Sequence, residues 1–234
     1  MAQDLVVKEK THEARAQRQD AAEATAVIAA AAATSATDNS VTPAQKDFTI
    51  AIPPAEAAYD DGMITYLTDL VNRIYFDSEA SFWTPGFKRT NATEIKDYLS
   101  SGALALAWRG DSSFSQHGNL ATDLLGCVNI KMFLAEETGE FGMLACDPVS
   151  RGIGVGRGLL RFAEDEARRR GARRMRLELL QGDGWRHEFK DRLEAWYGRN
   201  GYRLAGVEDV QKNWAFLVPL LARPTVMKVF IKQL

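Results

Sequence analysis

The run from Asp147 to Arg157 constrains this chain most, because Gly152, Gly154 and Gly156 fall there between an aliphatic stretch and a strongly amphipathic one. The backbone must turn there from strand to helix, and glycine lets it approach a bulky group with no Cβ in the way. The helix that follows, Gly154 to Arg170, puts Val155, Leu159, Ala163 and Ala167 on one face and stops at Gly171. Free amides at its start, and the positive end of its dipole, make an anion site to which Arg151 and Arg157 add cationic donors. That chemistry suits a pyrophosphate. A glycine-rich strand-to-helix turn also occurs in dinucleotide and nucleoside triphosphate enzymes, or as a plain tight turn. No Gly-Lys-Ser/Thr follows, so a P-loop would lack its lysine and its metal ligand. The turn comes after roughly 100 residues of strand-rich chain rather than after a first strand, which disfavours a dinucleotide-binding βαβ unit.

The rest of the chain fits around this turn. Phe48 to Ile52 reads as a short strand closed by Pro53 and Pro54. Ile64, Leu67, Leu70, Val71 and Ile74 recur at helical spacing between about Ala55 and Tyr75, and a shorter helix runs from Thr93 to Ser100. Ala103 to Trp108, Leu124 to Phe133 and Glu140 to Asp147 read as an antiparallel meander. Past the long helix, Arg174 to Leu180 alternates Met175, Leu177 and Leu179 inward. A helix from Glu188 to Arg199 follows, and Tyr202 to Val207 and Val226 to Ile231 close the sheet.

Residues 1–46 differ in kind: mixed charges, then Ala29 to Ala33, then a polar stretch, with too few large apolar side chains for a core. They read as a flexible arm, without the acid-poor make-up of a mitochondrial presequence, ahead of one domain over 47–234. Lys plus Arg number 29 and Asp plus Glu 31, so no bulk charge argues for nucleic acid. No apolar run reaches the length of a membrane span, and Cys127 and Cys146 read as reduced, buried thiols, so a cytoplasmic protein with no membrane partner is expected. His12 and His117 have no companions at ligand spacing, so no metal is expected. Arg168, Arg169 and Arg170 follow Glu164, Asp165 and Glu166 by one helical turn and read as intrahelical ion pairs.

Two motifs carry a resemblance. Arg151, Gly154 and Gly156 match the (Arg/Gln)-x-x-Gly-x-(Gly/Ala) signature of the GCN5-related N-acetyltransferase (GNAT) family, after a strand end and Pro-containing turn from Leu144 to Ser150. Trp196, Tyr197, Gly201 and Tyr202 resemble the family's second landmark, a helix end reading aromatic-Tyr-x-x-x-Gly-(Phe/Tyr). The resemblance covers about Phe48 to Leu234 and implies an α/β fold with a mixed, twisted central sheet flanked by helices and splayed between the strands ending at Cys146 and starting at Arg174. It implies acetyl-CoA as acetyl donor and direct transfer to a primary amine, with the protein a monomer or homodimer. Backbone groups of Leu144 and Cys146 would pair with the pantetheine and thioester, and the amides of Arg151, Gly152, Ile153, Gly154, Val155, Gly156 and Arg157 would hold the pyrophosphate. Lys190 stands where many members carry a cofactor-touching asparagine.

The resemblance makes Tyr197 the acid for the leaving thiolate and puts Glu140 where several members carry their general base. Strand alternation would set Glu140, Gly142, Leu144 and Cys146 on one face; a solvated glutamate at a strand start is the plainer reading. His187 is an alternative base or a structural residue at a helix start. The loop from Phe76 to Thr90, with Phe82, Trp83 and Phe87 beside Asp77 and Glu79, is expected to line an acceptor pocket with the last strand pair. A small-molecule amine is the first reading; a protein or peptide acceptor and a non-catalytic CoA-binding regulatory domain are the alternatives. Arg151→Ala should weaken CoA binding about tenfold or more, the worth of a charge-assisted hydrogen bond, with little change in melting temperature. Calorimetric titration with CoA checks it; equal affinity in mutant and wild type would remove the assignment.

Overall fold

A computed structural model describes residues 48–110, 123–150 and 152–234, and of Val149 the backbone alone. The expected N-terminal arm and Arg151 lie outside the described residues. The helices start where the sequence supplies caps. Asp60 accepts from the Met63 amide at 2.9 Å and opens α1, Asp61–Glu79. Asn91 likewise accepts from the Glu94 amide and opens α2, Ala92–Ser100. A 3₁₀ turn, Ala55–Tyr59, precedes α1, so the long helix begins later than its periodicity suggests and runs to Glu79. Its apolar face of Ile64, Leu67, Leu70, Val71 and Ile74 is buried.

Among the described residues seven strands form one sheet: β1 Phe48–Ala51, β2 Leu104–Arg109, β3 Leu124–Phe133, β4 Thr138–Cys146, β5 Arg174–Gly182, β6 Arg203–Asp209 and β7 Thr225–Gln233. Their order is β1-β2-β3-β4-β5-β7-β6, so β7 inserts between β5 and β6. The first four pair antiparallel, and β2, β3 and β4 are the meander read from the sequence. β4 and β5 are parallel, joined through α3, Val155–Arg169. The sheet is therefore mixed and flanked by helices, with α4, Glu188–Arg199, after β5 and a one-turn α5, Val210–Asn213, after β6.

The β4–β5 pairing is short: only Thr138, Gly139 and Glu140 are in register with Arg174, Met175 and Arg176. Beyond them the strands diverge, and the sheet forks. On its other edge β4 pairs with β3 to the end, except where Met143 and Leu144 together oppose Val128. This bulge, with Met143 at φ 45°, is a correction to simple alternation. Register now puts Glu140, Gly142 and Ala145 on the face of Cys127 and Asn129, while Phe141 and Cys146 share the other.

α3 packs on the face of Phe141 and Cys146, close enough that a Cβ on Gly126 would lie 2.4 Å from the Ala145 carbonyl oxygen and 3.3 Å from Leu159. The arginine run forms intrahelical ion pairs, Arg170 with Glu166 four residues back as the spacing implied, but Arg168 with Asp165 and Arg169 with Glu166 three residues back. Glu164 instead accepts from Tyr202 Oη and Lys232 Nζ, tying α3 to the far half of the sheet. Gly126→Ala should cost about 1–3 kcal/mol, because backbone rather than a flexible side chain must yield. Gly206→Ala, with nothing within 4 Å, should be near neutral; urea denaturation of the two variants checks the contrast.

Candidate active site

The site is built around the fork. Asp147, at the end of β4, donates its amide to the Leu125 carbonyl and pairs with Arg73 at 2.9 Å, fixing the strand end against α1. Ser150 donates its hydroxyl to the Asp147 carbonyl, which tightens the turn that leads to α3. Gly154 enters α3 at φ 91°, where a Cβ would be strained, and offers no side chain to cap the helix. The first-turn amides of a 15-residue helix are thus left without a side-chain acceptor. Gly152 and Ile153 are exposed beside them with Arg157, while Val155 and Gly156 are buried.

Tyr197 projects from α4 into the fork. It packs against Phe141 at 5.9 Å and Phe230 at 6.4 Å and is fully buried, yet among the described residues its hydroxyl has no hydrogen-bond partner. Burial first, then Tyr75, Glu79 and Cys146 nearby, push its pKa well above the ordinary range, so the phenol keeps its proton. The Leu144 and Cys146 side chains are buried, and burial holds both cysteines as thiols, Cys127 at about 12 and Cys146 higher.

Lys190 is also fully buried. Its ammonium donates to Glu79 Oε1 at 2.5 Å, Trp83 Nε1 donates to Glu79 Oε2 at 3.0 Å, and the Phe82 ring lies 5.3 Å from the cation. Desolvation lowers the lysine pKa while Glu79 opposes that shift. The loop expected to line a pocket with Phe82, Trp83 and Glu79 therefore anchors α1 to α4 through these three. His187 caps α4 by accepting from the Lys190 amide at 3.4 Å, and burial and then Lys190 lower its pKa, which keeps it a neutral acceptor near pH 7. A cavity of about 380 Å³ opens between Ser78 on α1, Pro148 after β4, and His187, Phe189 and Arg192 on α4. A second, of about 250 Å³, lies between α1 and its following loop, walled by Tyr75, Phe76, Trp83 and Phe87.

On the opposite face, Glu140 is buried and lies 3.4 Å from Arg176, which also pairs with Glu178. Sequence reasoning missed Glu178. Alternation of Met175, Leu177 and Leu179 points it away from the α3 side, where an acidic residue ordinarily meets water. A second apolar cluster of Phe82, Trp83, Leu180, Val210, Trp214, Leu217 and Met227 covers that face, and Glu178 is 4% exposed. Burial first, then Glu140, push its pKa up to about 8, with Arg176 opposing. Among the described residues no cluster of three His, Cys, Asp or Glu could hold a metal, and no helix is long and apolar enough to cross a membrane.

A forked mixed sheet with an uncapped, glycine-entered helix at the end of one prong and a buried tyrosine in the gap defines an acyltransferase class. The sequence model of the Acetyltransferase (GNAT) family matches residues 72–202, and the chain belongs to that family. Solved structures agree on the fold. An aminoglycoside 6'-N-acetyltransferase complexed with coenzyme A superposes with TM-score 0.54 at 14% identity, over 79% of this chain and 96% of that one. The NatC complex bound to Gag peptide and CoA gives 0.52 at 15%, over 80% and 99%. N-acetylglutamate synthase from Neisseria gonorrhoeae, complexed with coenzyme A and N-acetyl-glutamate, gives 0.52 at 18%, over 82% of this chain but 36% of that one. The chain thus spans about a third of the synthase's length. Among curated proteins none matches.

Lys190→Met should destabilise the protein by about 3–5 kcal/mol, because it strands the Glu79 carboxylate in the interior. The double variant Glu79→Gln, Lys190→Met should recover most of that loss, and a double-mutant cycle of urea midpoints measures it.

Proposed function

We propose that this protein transfers the acetyl group of acetyl-CoA directly to a primary amine of a small molecule. The observation that carries the reading is the Tyr197 hydroxyl, buried in the fork with no partner. A buried phenol left unsatisfied costs about 1–3 kcal/mol unless something bound there accepts from it. A thioester sulfur lying in the fork fits that role. The amides leading into and opening α3, from Gly152 to Arg157 with Ile153, Gly154, Val155 and Gly156 among them, suit the pyrophosphate, and Arg151 completes the signature. The unpaired edge of β4 past Glu140 offers the backbone of Leu144 and Cys146 to the pantetheine, as adding a strand would. The 380 Å³ cavity beside Pro148 and Phe189 continues from that edge.

Acetyl-CoA, when bound, supplies an acetyl group already activated as a thioester. The protein then has to align the amine, take its proton and protonate the sulfur. Alignment alone is worth on the order of 7–11 kcal/mol in good cases. Tyr197, protonated at all working pH, gives its proton to the sulfur as the carbon–sulfur bond breaks. The carboxylates on the opposite face, with Glu140 the one expected from the strand position, receive the proton of the incoming ammonium. Lys190 faces Glu79 rather than the fork, so its part in cofactor binding runs through the position of α4. The 250 Å³ aromatic cavity, walled by Tyr75, Phe76, Trp83 and Phe87, supports a small acceptor with an apolar part.

With tyramine, spermidine or kanamycin as acceptor, Tyr197→Phe should lower kcat by about 10²- to 10³-fold with little change in the Kd of acetyl-CoA, because it removes an interaction made mainly in the transition state. Thiol release and calorimetry read the two quantities. Unchanged kcat would remove the acid assignment, and no turnover with any amine would remove the reading as a whole.

A further inference from the structure

Hydrogen-bonded pairing between β4 and β5 ends at Glu140 and Arg176. The next residue of β5 on the same face is Glu178, the first side chain past the fork on that side. Extending the parallel register sets it level with Gly142, beside the Met143–Leu144 bulge. Tyr197 enters from the other face, packed on Phe141 and Phe230. The two groups therefore flank the gap from opposite faces of the sheet.

The two buried glutamates differ in their surroundings. Glu140 lies beside Arg176 and stands directly opposite Lys131 of β3, so cations flank it on both neighbouring strands. Glu178 shares Arg176 through one oxygen, while among the described residues Oε2 has no hydrogen-bond partner. Around it stand Glu140 on β4, Arg176 on β5, Glu208 on β6 and the Trp214 indole, with Val229 of β7 opposite. A buried carboxylate with one unpaired oxygen and two acidic neighbours attracts a proton strongly. Arg176, 29% exposed at its side chain, is where this cluster meets solvent.

We propose that Glu178, not Glu140, takes the proton of the acceptor ammonium, with Arg176 as its positioning residue. The proposal rests on the acetyl-transfer reading above. One N–H bond of the ammonium breaks and its proton goes to Glu178. The freed lone pair forms the nitrogen–carbon bond while the carbon–sulfur bond breaks. The sulfur takes the Tyr197 proton, and the second proton lost by nitrogen restores the phenol.

The test is a pH–rate series on the full chain with acetyl-CoA and tyramine, spermidine or kanamycin. At pH 8, Glu178→Gln should lower kcat/KM about 100-fold, the scale of general base catalysis, and Glu140→Gln less than tenfold. The Glu178→Gln deficit should shrink towards about pH 10, where free amine needs no base, and Glu178→Asp should restore part of the rate. Activity of Glu178→Gln within threefold of wild type, or a larger and pH-dependent loss in Glu140→Gln, overturns the proposal while leaving acetyl transfer intact. Wild type that acetylates none of the three amines overturns both.

Melting curves separate this from a folding defect. The folded state keeps a proton on Glu178 that the unfolded chain releases between the ordinary carboxylate range and about 8, so wild type loses stability as pH rises through that window. Glu178→Gln has no such loss and should melt no lower than wild type at pH 8. A lower melting temperature there would mark Glu178 as a structural carboxylate and overturn the proposal.

Discussion

Three residue pairs between β4 and β5 determine most of what this molecule can do. Had the parallel ladder continued past Glu140, every backbone group of β4 would be satisfied within the sheet, and Tyr197 would press against a closed surface. Because it stops, one edge of β4 retains its hydrogen-bonding groups, and the two halves of the sheet part around the Tyr197 ring. The constraint has a cost in unsatisfied polar groups. The fork is kept from collapsing or opening by ties on both sides. On one, Glu164 of α3 holds Tyr202 and Lys232 of the far half. On the other, Glu79 of α1 holds Lys190 of α4.

Much of this was legible in local pattern. The antiparallel meander, the long α3 helix and its Gly171 stop, and the short α2 helix follow from periodicity and caps that need only neighbouring residues. So did the glycine turn, whose use depends on backbone rather than on a distant partner. The fork itself was expected through the family resemblance, since no residue in β4 or β5 announces where their pairing ends.

What escaped the sequence depends on distant contacts. The bulge at Met143 and Leu144 carries no glycine at the left-handed position, so alternation placed Glu140 and Cys146 on one face where the register sets them on opposite ones. Glu178 was overlooked because an acidic residue on the outward side of a strand normally meets water. The cover is made by Phe82 and Trp83, nearly a hundred positions earlier, and by Val210, Trp214 and Leu217 after it. Lys190 has the same history. Its identity departs from the family's usual asparagine, but only the fold shows that Glu79 has arrived to neutralise it.

The two cysteines have a practical meaning of their own. Cys127 and Cys146 are the chain's whole complement of thiols, both are shut in the core, and neither ionises in the range where proteins are handled. A thiol of that kind reacts slowly with disulfides, maleimides and peroxide, since the thiolate is the reactive form. The native protein is therefore almost silent towards sulfhydryl dyes. Any thiol that emerges during turnover reports on the cofactor alone, and the same dyes applied over time report how often the core opens.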